Sequence, residues 1–175
     1  MARRNRGEHG GSTLVEFTLV GIPMIFVLIS TFEMARGMWT WQTLNFAVKE
    51  GTRYAGVHGQ ACATAPNTCT VTVAQIAQTV ASAGVGLIPS QLSLTFISPS
   101  SSRTCRVTPS NVAGSCLADN TVWPEAPTNG PGNDIEIDAV FPFQSAISMF
   151  WPGAGPGMNV GLVNFGASSK ETMHN

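Results

Sequence analysis

Apolar residues follow three different rhythms along this chain. From 12 to 32 they run almost unbroken, and Glu16 is the one charged side chain among them. As a helix at 1.5 Å per residue that stretch covers about 30 Å, the thickness of a bilayer core, so it is long enough to span a membrane. From 34 to 55 the rhythm becomes periodic. Met34, Met38, Trp41, Leu44 or Asn45, Val48, Gly51 or Thr52, and Ala55 recur every three to four positions, as on a helix with one buried stripe. Together these predict a single helix from about 14 to about 55, far longer than a typical globular helix. Lipid or partners must support its first half and a folded body its second. Pro23 lies in the first half and is expected to kink the helix, because it removes the donor for a carbonyl near residue 19.

Downstream the patterns shorten. In "VAQIAQTVASAG", Val73, Ile76, Ala77 and Val80 share a helical face that stops at Gly84, predicting a short helix, and "TVTV" at 70–73 reads as the start of a strand. In "QLSLTFIS", Leu92, Leu94 and Phe96 alternate; in "DIEIDAVFPF", Ile135, Ile137, Ala139, Phe141 and Phe143 do the same, and both predict half-buried strands. "NVGLVNFGASSKETM" is expected to add a last strand. The segment between the first two strands is rich in proline, glycine, serine and asparagine and reads as a long loop. The predicted fold class is α+β. A long N-terminal membrane-spanning helix continues into a small antiparallel β-sheet head with one short helix and a disulfide-tied loop. The expected organisation is a basic leader at 1–11, the long helix at 12–58, membrane-spanning to about 32, and an exported head at 59–175.

Charge sharpens the orientation. Charged residues make up 11% of the chain and the net charge is −1, with no basic cluster beyond the N-terminus, which argues against a nucleic-acid partner. Arg3, Arg4 and Arg6 precede the apolar run and are opposed only by Glu8. The positive-inside tendency then keeps the N-terminus cytoplasmic and exports the head. Export puts Cys62, Cys69, Cys105 and Cys116 in an oxidising compartment. Four cysteines allow three pairings that sequence does not decide; Cys62 with Cys69 and Cys105 with Cys116 closes two short loops and is preferred. Their spacings are not the close pairs used by zinc sites, even with His58 included, so no metal is expected. Trp39 and Trp41 follow the apolar run, either in the membrane interface or packed on the head.

No catalytic residues are predicted. The histidines are His9, His58 and His174, and no Gly-x-Ser-x-Gly, His-Glu-x-x-His or phosphate-loop pattern accompanies them. "GAGPG" at 153–157 follows a proline turn rather than a strand and reads as plain loop. Asp134, Glu136 and Asp138 alternate on one strand face, which suits a solvated outer face better than a calcium or acid/base site. No cofactor is implied. Gly51, Ala55 and Gly56 are small enough to suit packing of helix on helix.

The stretch "GGSTLVEFTLVGIPMIFVLISTFEMARGMWTWQTLNFAVKEGTRYAGVHG" resembles the N-terminal signature of the TadE-like proteins. These are minor pilins or pseudopilins of the tight-adherence branch of bacterial type IV pilus systems. The resemblance rests on a small-x-x-Val-Glu-Phe opening after glycine, a proline inside the apolar run, and Glu-x-x-Arg followed by Lys-Glu-Gly-x-Arg-Tyr-Ala. "IEIDAVFPF" and "ASSKETMHN" are similar to the strand and tail near that family's C-terminus, while residues 60–133 show no family pattern. The resemblance implies cleavage by a prepilin peptidase after Gly11, so that Ser12 becomes the first residue and Glu16 the fifth. Many type IV pilins start with an N-methylated aromatic residue, and Ser12 departs from that pattern. The implied partners are the peptidase, other pilin-like subunits, an inner-membrane assembly platform and membrane lipid. The implied function is assembly of a pilus for surface attachment, against the alternative of an uncleaved, single-span anchored binding or adhesive protein.

The implied cleavage also gives Glu16 a chemical role. A carboxylate is disfavoured in lipid unless paired, and a new α-amino group at Ser12, with a pKa of roughly 7.7 to 8.0, is a suitable partner within one subunit or between two. Pairing between subunits would make Glu16 an assembly register, since a slipped neighbour leaves both charges uncompensated.

Overall fold

In a computed structural model, residues 10–58, 70–146 and 162–173 are described. Helix α1 runs over Gly10–Gly56 and α2 over Val73–Ala83. The strands are β1 Ser93–Ser98, β2 Ser101–Arg106, β3 Asp134–Gln144 and β4 Leu162–Thr172, with short 3-10 turns at Pro89–Gln91 and Cys116–Ala118. The four strands form one antiparallel sheet in the order β2-β1-β3-β4.

Two helices cover one face of this sheet, and the alternation of each strand follows from that. Leu94 and Phe96 of β1 and Ile135, Ile137 and Ala139 of β3 point inward and are buried. They meet Leu44, Ala47 and Val48 of α1 and Ile76, Ala77 and Val80 of α2 in one apolar core. Trp123 closes the core edge-to-face on Phe96, with ring centroids 5.2 Å apart. The opposite sheet face is polar: Thr95 and Thr104 hydrogen-bond across β1 and β2 at 3.0 Å, and Ser168 donates to Glu136 across β3 and β4 at 2.5 Å. Such one-sided burial is the ordinary condition of an antiparallel sheet.

The helix α2 buries Val73, Ile76, Ala77 and Val80 and is capped at its C-terminus by Gly84. "TVTV" does not form a strand. Only Thr72 makes an isolated bridge, to Val122, because its side chain is used as the helix cap. The Gln75 N–H donates to the Thr72 hydroxyl at 3.3 Å and the Thr72 N–H to the Gln75 side-chain Oε1 at 3.0 Å, a reciprocal capping box.

The expected loop after β1 contains β2, a strand the apolar pattern does not announce. Its sequence, SSRTCR, has no apolar alternation because it is the sheet's edge and contributes mainly backbone pairing. Only Pro99 and Ser100 separate it from β1, and the Ser98 hydroxyl accepts the Ser101 N–H at 3.2 Å, fixing the turn. A disulfide from Cys105 to Cys116 ties β2 to the loop that follows. Cys62 and Cys69, like "GAGPG" and the leader residues 1–9, lie outside the described residues.

The helix α1 divides at Glu33. Every described side chain from 14 to 32 is exposed except Gly21 and Ile29, which are half-covered. From 33 onward a stripe of Glu33, Gly37, Thr40, Leu44, Ala47, Val48, Gly51, Thr52, Ala55 and Gly56 turns to the head. The expected stripe is met at its C-terminal end but displaced at the other. Met34, Met38 and Trp41 are exposed, and Glu33 and Gly37 take the packed positions beside them. Gly51, Ala55 and Gly56 serve packing within the chain rather than an open helix surface. A Cβ on Gly51 would lie 2.3 Å from the Val80 side chain, and one on Gly56 would lie 3.5 Å from Glu171.

Candidate functional site

The exposed half of α1 is a continuous apolar surface among the described residues. Phe17 is 77% exposed, and Leu19, Val20, Ile25, Val27 and Leu28 are all more than half exposed. An unbroken helix satisfies its own backbone polar groups, so this surface is stable in lipid or against other helices and costly in water. It is the one helix among the described residues long and apolar enough to cross a membrane. It supports single-pass anchoring. Gly11 and Ser12 fall within the start of α1. The helix continues through exposed Pro23, although a proline has no N–H to give the carbonyl of Leu19.

Glu16 lies on this surface, exposed, with no hydrogen bond or ion pair to another described residue. At 1.5 Å per residue it is about 25 Å below Glu33, far from the head's own groups. No cationic side chain of the described residues is paired with it.

Glu33 is the opposite case. It is 8% exposed, accepts from Arg36 at 3.1 Å and from the Ala146 backbone N–H at 3.0 Å. Arg36 also donates to the Gln144 carbonyl at 2.5 Å, and its guanidinium stands 4.8 Å from the centroid of the Phe143 ring. Phe143 stacks on Phe165 of β4 at 5.1 Å, and the two rings lie over Gly37, where a Cβ would meet them at 3.7 to 3.8 Å. The ends of β3 and β4 are thus clasped to the helix where its exposed half ends. A clasp of this kind satisfies a buried carboxylate with charge-assisted bonds, which would otherwise be expensive. Sequence reasoning singled out Glu33 and Arg36 only as a family mark; their i, i+3 spacing on a helix was the available signal for an ion pair.

Most of the other singled-out groups are occupied. His58 lies just beyond the end of α1, with Nδ1 2.6 Å from the Tyr54 carbonyl oxygen and its ring 4.4 Å from that of Tyr54. Asp134 is bound by Thr172 at 2.7 Å and Lys170 at 2.9 Å. These two hydrogen bonds, Thr172 first, hold its carboxyl below the usual value, and the same contact raises Lys170. Asp138 is on the same outer face but has one buried oxygen without a hydrogen bond. Near the disulfide, Asp119 pairs with Arg103 at 2.6 Å and accepts from Thr121. Burial pushes the Asp119 carboxyl up, but the bonds from Thr121 and Arg103 together outweigh it and the net shift is downward. No three carboxylates, histidines or cysteines converge on a common point among the described residues.

Residues 11–53 match the model of a family described as TadE-like protein. The N-terminal segment is TadE-like. The TadE-like match begins at the glycine before Ser12, covers the whole exposed half of α1 and ends at Arg53 within the packed half, so the sheet lies beyond it. No curated protein and no solved structure matches the chain. The TadE-like match and the membrane-length exposed helix thus fall on the same residues, which supports a single-pass anchored chain with a pilin-like N-terminal segment.

Proposed function

We propose that the chain is a structural subunit, not an enzyme, that is cleaved after Gly11 by a prepilin peptidase and takes part in assembling a tight-adherence pilus used in surface attachment. In this reading residues 1–11 are a cytoplasmic leader, 12–58 form the assembly helix, and 59–175 form a head on the periplasmic side. Its partners are other pilin-like subunits and an inner-membrane assembly platform. The observation that carries the reading is the coincidence of the TadE-like match with a helix whose exposed apolar surface holds one unpartnered acid, Glu16.

Cleavage supplies what Glu16 lacks. The Ser12 amine is cationic below about pH 8, and a neighbouring subunit's amine placed against Glu16 sets the axial register of packing in a medium where mismatch is expensive. Assembly then selects one register without any contact from the heads.

The test is pilus assembly by Glu16→Ala and Glu16→Gln in the native host, with membrane insertion and leader removal followed in parallel. The expected result is normal insertion and strongly reduced incorporation for both variants, since Gln keeps the shape but not the charge. Unchanged incorporation of both would remove the register role, whereas an unaltered chain that keeps its leader and stays out of the pilus would favour the uncleaved anchored alternative.

A further inference from the structure

Between the clasp and the helix lies a groove of about 710 Å³, lined by Met34, Gly37, Met38 and Trp41 of α1 and by Val163 and Phe165 of β4, with Phe143 at its wall and Ser30 at its lower end. Its size is within the 300 to about 1,000 Å³ of small-molecule sites. Three features indicate what fills it.

The first is continuity. Ser30 lies inside the exposed apolar half of α1, so the groove opens downward into the surface already assigned to the membrane. The second is depth. If residues 12–32 cross a core of about 30 Å, residues 33–41 rise roughly another 12 Å through the interfacial layer. At that level Met34 is 75% exposed and Trp41 is 49% exposed, although neither belongs in water. The third is chemistry. The acid at the groove, Glu33, is already satisfied by Arg36 and Ala146, so its lining asks for apolar contact rather than a hydrogen-bonding ligand.

We infer that this groove seats the glycerol-proximal part of a phospholipid acyl chain, so that the membrane contact of the anchored subunit extends above the helix span onto the ends of β3 and β4. Trp39, 64% exposed, stands at the same level and suits the headgroup zone, where amphipathic rings are favoured. The inference rests on the membrane-anchored reading and adds a specific lipid contact made by the head. A subunit held this way stands upright on the bilayer with the clasp oriented, and leaving the membrane for an assembly requires giving up that lipid.

The test uses the full chain in phospholipid vesicles containing a lipid with a photoactivatable diazirine near the glycerol end of its acyl chain, with adducts mapped by mass spectrometry. The expected result is adducts on Phe143, Val163 or Phe165 as well as on Leu28 and Phe32. Gly37→Leu, whose side chain grows into the groove, should lose the strand adducts and keep those on Leu28. Gly37→Ala, whose added methyl makes ordinary contacts with both rings, should keep both. Adducts confined to 14–32 in the unaltered chain would overturn the inference while leaving the anchor intact, and crosslinks from the strands to a second copy in place of lipid would overturn it too. Absence of adducts on 14–32 would instead overturn the anchoring itself.

Discussion

The two halves of α1 share one unbroken helix and have opposite dependencies. Residues 14–32 are apolar on all sides and touch almost nothing in their own chain, whereas residues 33–56 present a stripe of mostly small side chains against α2, β3 and β4. The difference shows that apolarity alone does not say where a helix is buried. A continuous apolar surface must be covered from outside the chain, while a periodic one can be covered from within. Gly37, Gly51 and Gly56 of the inward half sit where a sheet and a second helix approach closely, whereas a Cβ on Gly21 of the outward half would meet only Phe17 of its own helix.

This contrast is open to direct perturbation. The largest effect on stability is expected at Leu44, fully buried in the core: Leu44→Ala should cost the head about 2 to 5 kcal/mol, measured by denaturant unfolding in detergent. A smaller loss is expected for Gly51→Ala. Its methyl would strike the β-branched Val80, an overpacking of roughly 1 to 3 kcal/mol that the better helix propensity of alanine, about 1 kcal/mol, only partly offsets. Adding Val80→Ala to that variant should recover part of the clash, giving a measurable coupling between the two sites. At the other extreme, Leu19→Ala should change head stability by less than about 0.5 kcal/mol, since Leu19 is 72% exposed and far from the sheet. An equal loss at Leu19 and Leu44 would mean that the two halves do not differ in what covers them.

The same contrast explains what was legible in the sequence. The face of α2 was readable residue by residue because Val73, Ile76, Ala77 and Val80 follow the helical period and Gly84 ends it. The inward face of β3 was readable for a similar reason. The strand β2 was not, since Ser101, Arg103 and Cys105 carry no apolar signal and the strand is held by backbone pairing and the disulfide. The upper part of the α1 stripe was displaced because periodicity counts Met34 and Met38 as candidates for burial and counts Glu33 as solvent-facing. Only the arrival of Arg36, the Ala146 N–H and the Gln144 carbonyl at one point makes Glu33 the better-covered residue. The groove beside it combines residues more than a hundred positions apart, and no local pattern encodes it. Glu16, by contrast, was conspicuous from sequence because it breaks an apolar run, and the structure leaves it on the exposed surface without a partner among the described residues.

The central claim is that the exposed half of α1 becomes an assembly surface once the leader is removed. The most direct measurement is the intact mass and N-terminal sequence of the chain taken from its native membranes, with and without the prepilin peptidase. The account predicts a chain beginning at Ser12 when the peptidase is present and an uncleaved chain when it is absent. A chain beginning at Met1 or Ala2 in both cases would contradict it.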